Sequence, residues 1–141
     1  MKKRKIVLDS SVIVKFLFAM GEDNLSQADA LLADVEKGET LLAAPVLAKY
    51  EVGNVVRFRK ISEVEKLASW DNFEQLPIKY IDLDFSEGRR AQSIAEVSNI
   101  TFYDAVFVEL AERLKAVLVT ANPKHQKKFG GVKVIALKDY K

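Results

Sequence analysis

The chain has 141 residues, 49% of them hydrophobic and 30% charged, with a net charge of +2 and no cysteine. This length suits one domain with a full core, and the missing cysteines exclude disulfides, thiolate zinc sites and cysteine nucleophiles. The apolar runs stop well short of the ~18 residues of a membrane helix, and the basic start MKKRK leads through Ile6-Val7-Leu8 straight into Asp9, unlike a signal peptide. A single domain over residues 1–141, cytoplasmic and free of the membrane, is therefore expected.

Taken in order, Ile6-Val7-Leu8 is a short β-branched run bounded by charge, which predicts a buried strand. Asp9, Ser10 and Ser11 follow, offering helix-capping chemistry before the apolar run Val12-Ile13-Val14. A helix is predicted to about Ala19, with Met20 to Asp23 as its exit loop. Asn24 to Lys37 is the next helix, its face built from Leu25, Ala28, Leu31, Leu32 and Val35 and its stop at Gly38. Leu41 to Ala44 reads as a buried strand, and Pro45 as the first turn of a helix to about Arg59.

That helix carries Glu51, Asn54 and Arg57 at a spacing that keeps them near one edge. Ser62 with Glu65 is a capping box opening a helix from Glu63 to Gln75, where Trp70 and Phe73 form a buried or partner-facing stripe, with the core the favoured place. The two helices between the second and third strands are expected to project as an arm. Ile78 to Leu83 is the third strand, and a helix started by Asp84 or Ser86 runs to about Ser98. Thr101 opens the helix Phe102 to Lys115, and Ala116 to Thr120 is a further buried strand. Asn122-Pro123 then begins a short helix ending near Phe129, and Val132 to Leu137 forms an edge strand. Alternating strands and helices predict an α/β fold, a mainly parallel sheet of four to five strands with helices on both faces.

Parallel strands present their carboxyl ends at one edge, where ligands bind in open α/β sheets. Asp9 ends the first strand, Glu51 lies two turns into the helix after the second, and Asp104 lies in the first turn of the helix before the Ala116–Thr120 strand. Asn122 follows that strand. Carboxylates brought together repel unless something compensates. A divalent cation with hard-oxygen preference, Mg²⁺ or Mn²⁺, does so and brings phosphoryl chemistry with it. With His125 the one histidine, a zinc site is not expected.

Each residue also has a plainer reading. Asp9 caps its own loop, Asp104 pairs with Thr101 in a capping box, Asn122 is a helix cap, Glu51 is an exposed helix acid and Lys15 snorkels along its helix. Basic residues cluster at Lys2 to Lys5, at Arg57, Arg59 and Lys60, at Arg89-Arg90 and at Lys124, Lys127 and Lys128. Such clusters bind phosphates if they share a face and are otherwise solvated charge.

Val7 to Lys15, Ala44-Pro45, Tyr50-Glu51-Val52-Gly53-Asn54-Val55, Thr101 to Ala105, and Leu118 to Asn122 occur in an order and spacing that resembles the PIN-domain nucleases. The likeness is strongest to VapC-type toxins of prokaryotic toxin–antitoxin pairs. It covers nearly the whole chain and implies a PIN-like three-layer fold and a metal-dependent endoribonuclease. Asp9, Glu51 and Asp104 take the family's acidic metal-site positions. Asn122 stands where many members have an acid, so it offers an amide oxygen but no charge.

The resemblance also implies supporting roles for Ser11, Thr120 and Asn54, substrate contacts from Lys15 and Arg57, an RNA substrate, a VapB-like antitoxin partner and a homodimer. Two other readings stand beside it. One is a catalytically weak PIN-like module that binds RNA or a partner, motivated by Asn122. The other is a phosphatase of the haloacid-dehalogenase type, disfavoured because those enzymes carry D-x-D and position 11 is Ser.

Overall fold

The computed structural model describes residues 2–141, with Met1 of the basic start outside the described residues. The order is β1 (Arg4–Leu8), α1 (Ser10–Leu17), α2 (Leu25–Glu36), β2 (Thr40–Pro45), α3 (Leu47–Phe58), α4 (Glu63–Gln75) and β3 (Ile78–Ile81). It continues with α5 (Phe85–Ser98), α6 (Phe102–Leu114), β4 (Val117–Thr120) and β5 (Val134–Ala136). Single 3₁₀ turns lie at Gln126–Lys128 and Leu137–Asp139.

The five strands form one sheet in the order β3-β2-β1-β4-β5, and every pairing is parallel. Right-handed crossovers then fix the layers. The connections carrying α1 to α4 step from β1 outward to β3 and lie on one face. The return through α5 and α6 to β4 covers the other. Contacts agree: α1 packs on α2, α3 and α4, whereas α5 packs on α6, and α6 lies against β1, β2 and β4. The result is a three-layer α/β fold.

β1 is central, and Ile6, Val7 and Leu8 are all buried between the layers. Strand order reverses between β1 and β4, the position at which such sheets bind ligands. The register sets Leu8 beside Val119. The ladder runs one residue further, where Asp9 N–H donates to Val119 O at 3.0 Å. Asp9 and Thr120 therefore leave the sheet side by side.

Several local expectations shift. Pro45 is the last residue of β2 rather than a helix start, because the ladder still holds there: Pro45 lies beside Ile81 and Val46 N–H donates to Ile81 O at 3.1 Å. Trp70 does not enter the core with Phe73. Phe73 is 3% exposed and Trp70 is 42% exposed, since α4 packs one face only and Trp70 lies over the backbone of α3 at Gly53. A Cβ at Gly53 would stand 2.8 Å from Trp70 Cζ2, so the glycine permits this close approach. α1 stops at Leu17, with Phe18 N–H donating to Val14 O. The expected helix after Pro123 is a single 3₁₀ turn.

Elsewhere the caps form as their residues dictate. Ser62 with Glu65 and Asp84 with Glu87 make reciprocal capping boxes. Asn99 and Lys115 close α5 and α6 in the left-handed conformation. No helix among the described residues is long and apolar enough to cross a membrane.

Candidate active site

Asp9 caps α1 and stands at the point where the strand order reverses. Its extended backbone, φ −72° and ψ 152°, makes it the N-cap of α1. Its Oδ2 accepts from Ser11 N–H at 3.3 Å, from Ser11 Oγ at 2.5 Å and from Thr120 Oγ1 at 3.1 Å. Its Oδ1 accepts from Gln126 Nε2 at 3.3 Å. The two hydroxyls are themselves held from the loop after β4: Ala121 N–H donates to Ser11 Oγ and Asn122 N–H to Thr120 Oγ1, each at 3.1 Å. Thr120 is fully buried. A carboxylate held through one oxygen by three donors is fixed in orientation before any ligand arrives.

Glu51 reaches the same edge from α3, where its Oε1 accepts from Ser10 Oγ at 2.7 Å. Burial pushes the Glu51 carboxyl above its ordinary value. The Ser10 hydroxyl opposes that rise, and the negative fields of Asp9 and Asp104 add to it. The three acids, far apart in sequence, therefore share one electrostatic environment.

Asp104 sits half-buried at the third position of α6. Only half of its capping box forms: Thr101 Oγ1 accepts Asp104 N–H at 3.0 Å, and among the described residues Asp104 returns no bond to the Thr101 backbone. The Asp104 carboxylate is thus not consumed by the cap.

The remaining predicted residues separate. Asn122 is exposed at the rim, tied in by its backbone alone. Asn54 and Arg57 are exposed on α3, and the Arg57 guanidinium lies 5.0 Å from the Phe58 ring centre. Lys15, expected to face substrate, is instead 8% exposed. Its Nζ donates to Asp23 Oδ1 at 2.7 Å and Glu22 Oε1 at 3.3 Å. Arg59 joins Glu22 at 3.7 Å, so Lys15 pins the α1–α2 connection back onto α1 and Arg59 ties it to the end of α3.

Two residues were missed by sequence reasoning. Ser10 sits in the same D-S-S run as Asp9, and that adjacency was its available signal. Gln126 lies in the run KHQKK, which reads as surface, yet it is 2% exposed and bonded to Asp9.

The donor set has the chemistry of a hard divalent cation site. It offers carboxylate oxygens, of which Glu51 is raised by burial first and by the fields of Asp9 and Asp104 in addition, and among the described residues no Lys, Arg or His pairs with Asp9, Glu51 or Asp104. A cation is the compensation such a group lacks. The ligands are not drawn into a closed cluster, since no three Asp, Glu or His side chains among the described residues converge to metal-holding distance. Each carboxylate of the Asp9–Glu51 pair is held by hydroxyls instead.

Solved structures share this fold. A protein from Pyrobaculum aerophilum, PAE2754, superposes with a TM-score of 0.69 at 22% identity, covering 96% of this chain and 90% of its own. DNA-bound VapBC from Salmonella typhimurium gives 0.72 at 14% identity, covering 95% and 98%. VapC20 from Mycobacterium tuberculosis, a toxin that cleaves the sarcin–ricin loop, gives 0.64 at 12% identity, covering 82% and 87%. Comparison with curated proteins finds no match. The PIN-domain family model matches residues 6–131, from the central strand through the turn that carries Gln126. Over that span, with the all-parallel sheet and the acids gathered at its reversal point, the chain belongs to the PIN-domain family.

Proposed function

We propose that this protein is a Mg²⁺- or Mn²⁺-dependent endoribonuclease, the toxin of a VapBC-type toxin–antitoxin pair acting in the cytoplasm. The observation that carries this reading is the set of three acids, Asp9, Glu51 and Asp104, in one shared field with no basic partner among the described residues. Asp9 and Asp104 would hold the cation, Glu51 would add a ligand or orient water, and Asn122 would offer a neutral oxygen at the rim. When bound, such a cation supplies Lewis acidity towards a phosphodiester.

The chain's own groups do the rest. Ser11 and Thr120 fix the plane of the Asp9 carboxylate, and Ser10 fixes Glu51. Exposed Asn54 and Arg57 on the helix of Glu51, and exposed Lys127 and Lys128 on the turn that carries Gln126, would offer contacts to phosphates. RNA as substrate is supported by the likeness to VapC20. An antitoxin partner is supported by the likeness to VapBC, and a homodimer rests on the family resemblance alone.

A second reading, a PIN-like module that binds RNA or a partner with little turnover, is favoured by one observation. Asn122 adds no charge where a fourth acid would strengthen the site. The deciding experiment incubates structured and single-stranded RNAs with the protein in Mg²⁺, Mn²⁺ or EDTA, beside Asp9→Asn and Asn122→Asp. Metal-dependent cleavage by wild type, lost in Asp9→Asn, is the expected result. RNA binding without cleavage, with turnover appearing only in Asn122→Asp, would establish the binding module instead.

A further inference from the structure

Gln126 is buried at 2% exposure on the 3₁₀ turn after β4. Its amide nitrogen donates to Asp9 Oδ1 at 3.3 Å, while its Oε1 is buried without a hydrogen-bond partner among the described residues. A buried carbonyl oxygen left unpaired is unfavourable, and an apolar side chain of similar size would fill the same space without that penalty. Packing alone therefore does not explain a glutamine here. The opposite amide orientation would turn Oε1 toward a carboxylate oxygen, placing two acceptors face to face. The nitrogen-inward orientation is the one that serves Asp9.

The Asp9 carboxylate is then held from two sides. Ser11 and Thr120 hold Oδ2, and Gln126 is the side chain that holds Oδ1. We propose that Gln126 is a positioning residue, which fixes the Oδ1 end of Asp9 and thereby sets how tightly the acid site takes a divalent cation. The cation half of this statement rests on the metal-site reading above. The contact half rests on the Gln126–Asp9 geometry alone. Groups that orient metal ligands in this way typically change metal affinity by about 10–100-fold when removed.

The test compares wild type with Gln126→Met, which keeps the side-chain length and removes both polar atoms. Mn²⁺ binding by calorimetry is expected to weaken by about tenfold in Gln126→Met. The metal-free melting temperature should change little, because the lost amide donor to Asp9 and the removed orphan carbonyl act in opposite directions. An unchanged Mn²⁺ affinity overturns the proposal, and so does weakened binding accompanied by a loss of folded structure in circular dichroism, the mark of a packing role.

A metal-free readout separates the two halves. The Gln126 side-chain NH₂ signals, assigned by their loss in Gln126→Met, are expected to shift in Asp9→Asn, and unshifted signals overturn the contact. If wild type takes up no Mn²⁺, the metal-site reading and the affinity role fall together. The amide signals then decide the contact by themselves.

Discussion

The acids of the α5–α6 face and those of the sheet edge are compensated in opposite ways. On the α5–α6 face, Glu109 is 3% exposed, and burial pushes its carboxyl up against the opposing pull of Arg113. Arg113 grips Glu109 through two bonds of 3.0 and 3.1 Å and reaches Glu87 at 2.9 Å. Beside it, Arg90 holds Glu112 through bonds of 2.7 and 2.8 Å and keeps that carboxyl below its ordinary value. At the sheet edge, Glu51 is also raised by burial, but its direct partner is a serine hydroxyl and its charged neighbours are the acids Asp9 and Asp104. The first cluster is complete within the chain and clamps two helices. The second has no basic partner among the described residues. Exposure does not distinguish the clusters; the sign of the partner does.

The sharpest way to break the contrast is Asp9→Asn. It should reduce RNA cleavage by more than about 100-fold while circular dichroism reports an intact fold, since an asparagine oxygen can still accept from Ser11 and Thr120. Retained cleavage would remove Asp9 from the reaction.

Next in size is Arg113→Met, which strands Glu109 without a partner. A loss of about 2–3 kcal/mol in denaturant unfolding is expected, at the lower end for a broken buried pair because the Arg113 side chain is 28% exposed. Adding Glu109→Leu should recover most of it. A single variant as stable as wild type would show that this pair contributes no more than surface charge.

Asn122→Asp tests the acid edge from the other side. One more carboxylate at the rim should tighten Mn²⁺ binding by a few-fold, about 1 kcal/mol or less at this exposed position. Calorimetry reads this directly.

The smallest effect is Glu51→Gln in the metal-free protein. Because the folded-state pKa of Glu51 is raised, the native state binds more protons than the unfolded chain in that window. Wild-type stability attributable to Glu51 therefore falls as pH rises from the ordinary carboxylate range through the raised pKa. Glu51→Gln should be more stable than wild type at pH 7 by up to about 1 kcal/mol, with the half-exposed setting keeping the effect small. The gain should vanish in melts below pH 4. Equal melting temperatures at both pH values would mean that the carboxylate field at this edge is already neutralised.

Much of the architecture was legible because it is written in local chemistry. The β-branched run before Asp9, the Ser62–Glu65 box and the alternation of strands with helices each have a short-range cause. Misreadings arose where partners were distant. Pro45 belongs to a helix by its own preference but to a strand because Ile81 lies beside it. Lys15 looks like a free cation in a site motif, but Glu22 and Asp23 fold back onto it. Trp70 and Phe73 are three apart on one helix, yet only Phe73 meets the core.

The site divides in the same way. By itself the sequence determined which acids stand after strands, that the sheet is largely parallel, and so that Asp9 and the loop after Thr120 come to one edge. Tertiary structure alone decided how those acids are held: Ser10 on Glu51, Thr120 on Asp9 from across the β1–β4 pairing, and Gln126 buried within a run of lysines. The physical reason is range. Strand and capping preferences act over a few residues, whereas the orientation of a carboxylate depends on donors separated from it by as many as 117 positions of chain.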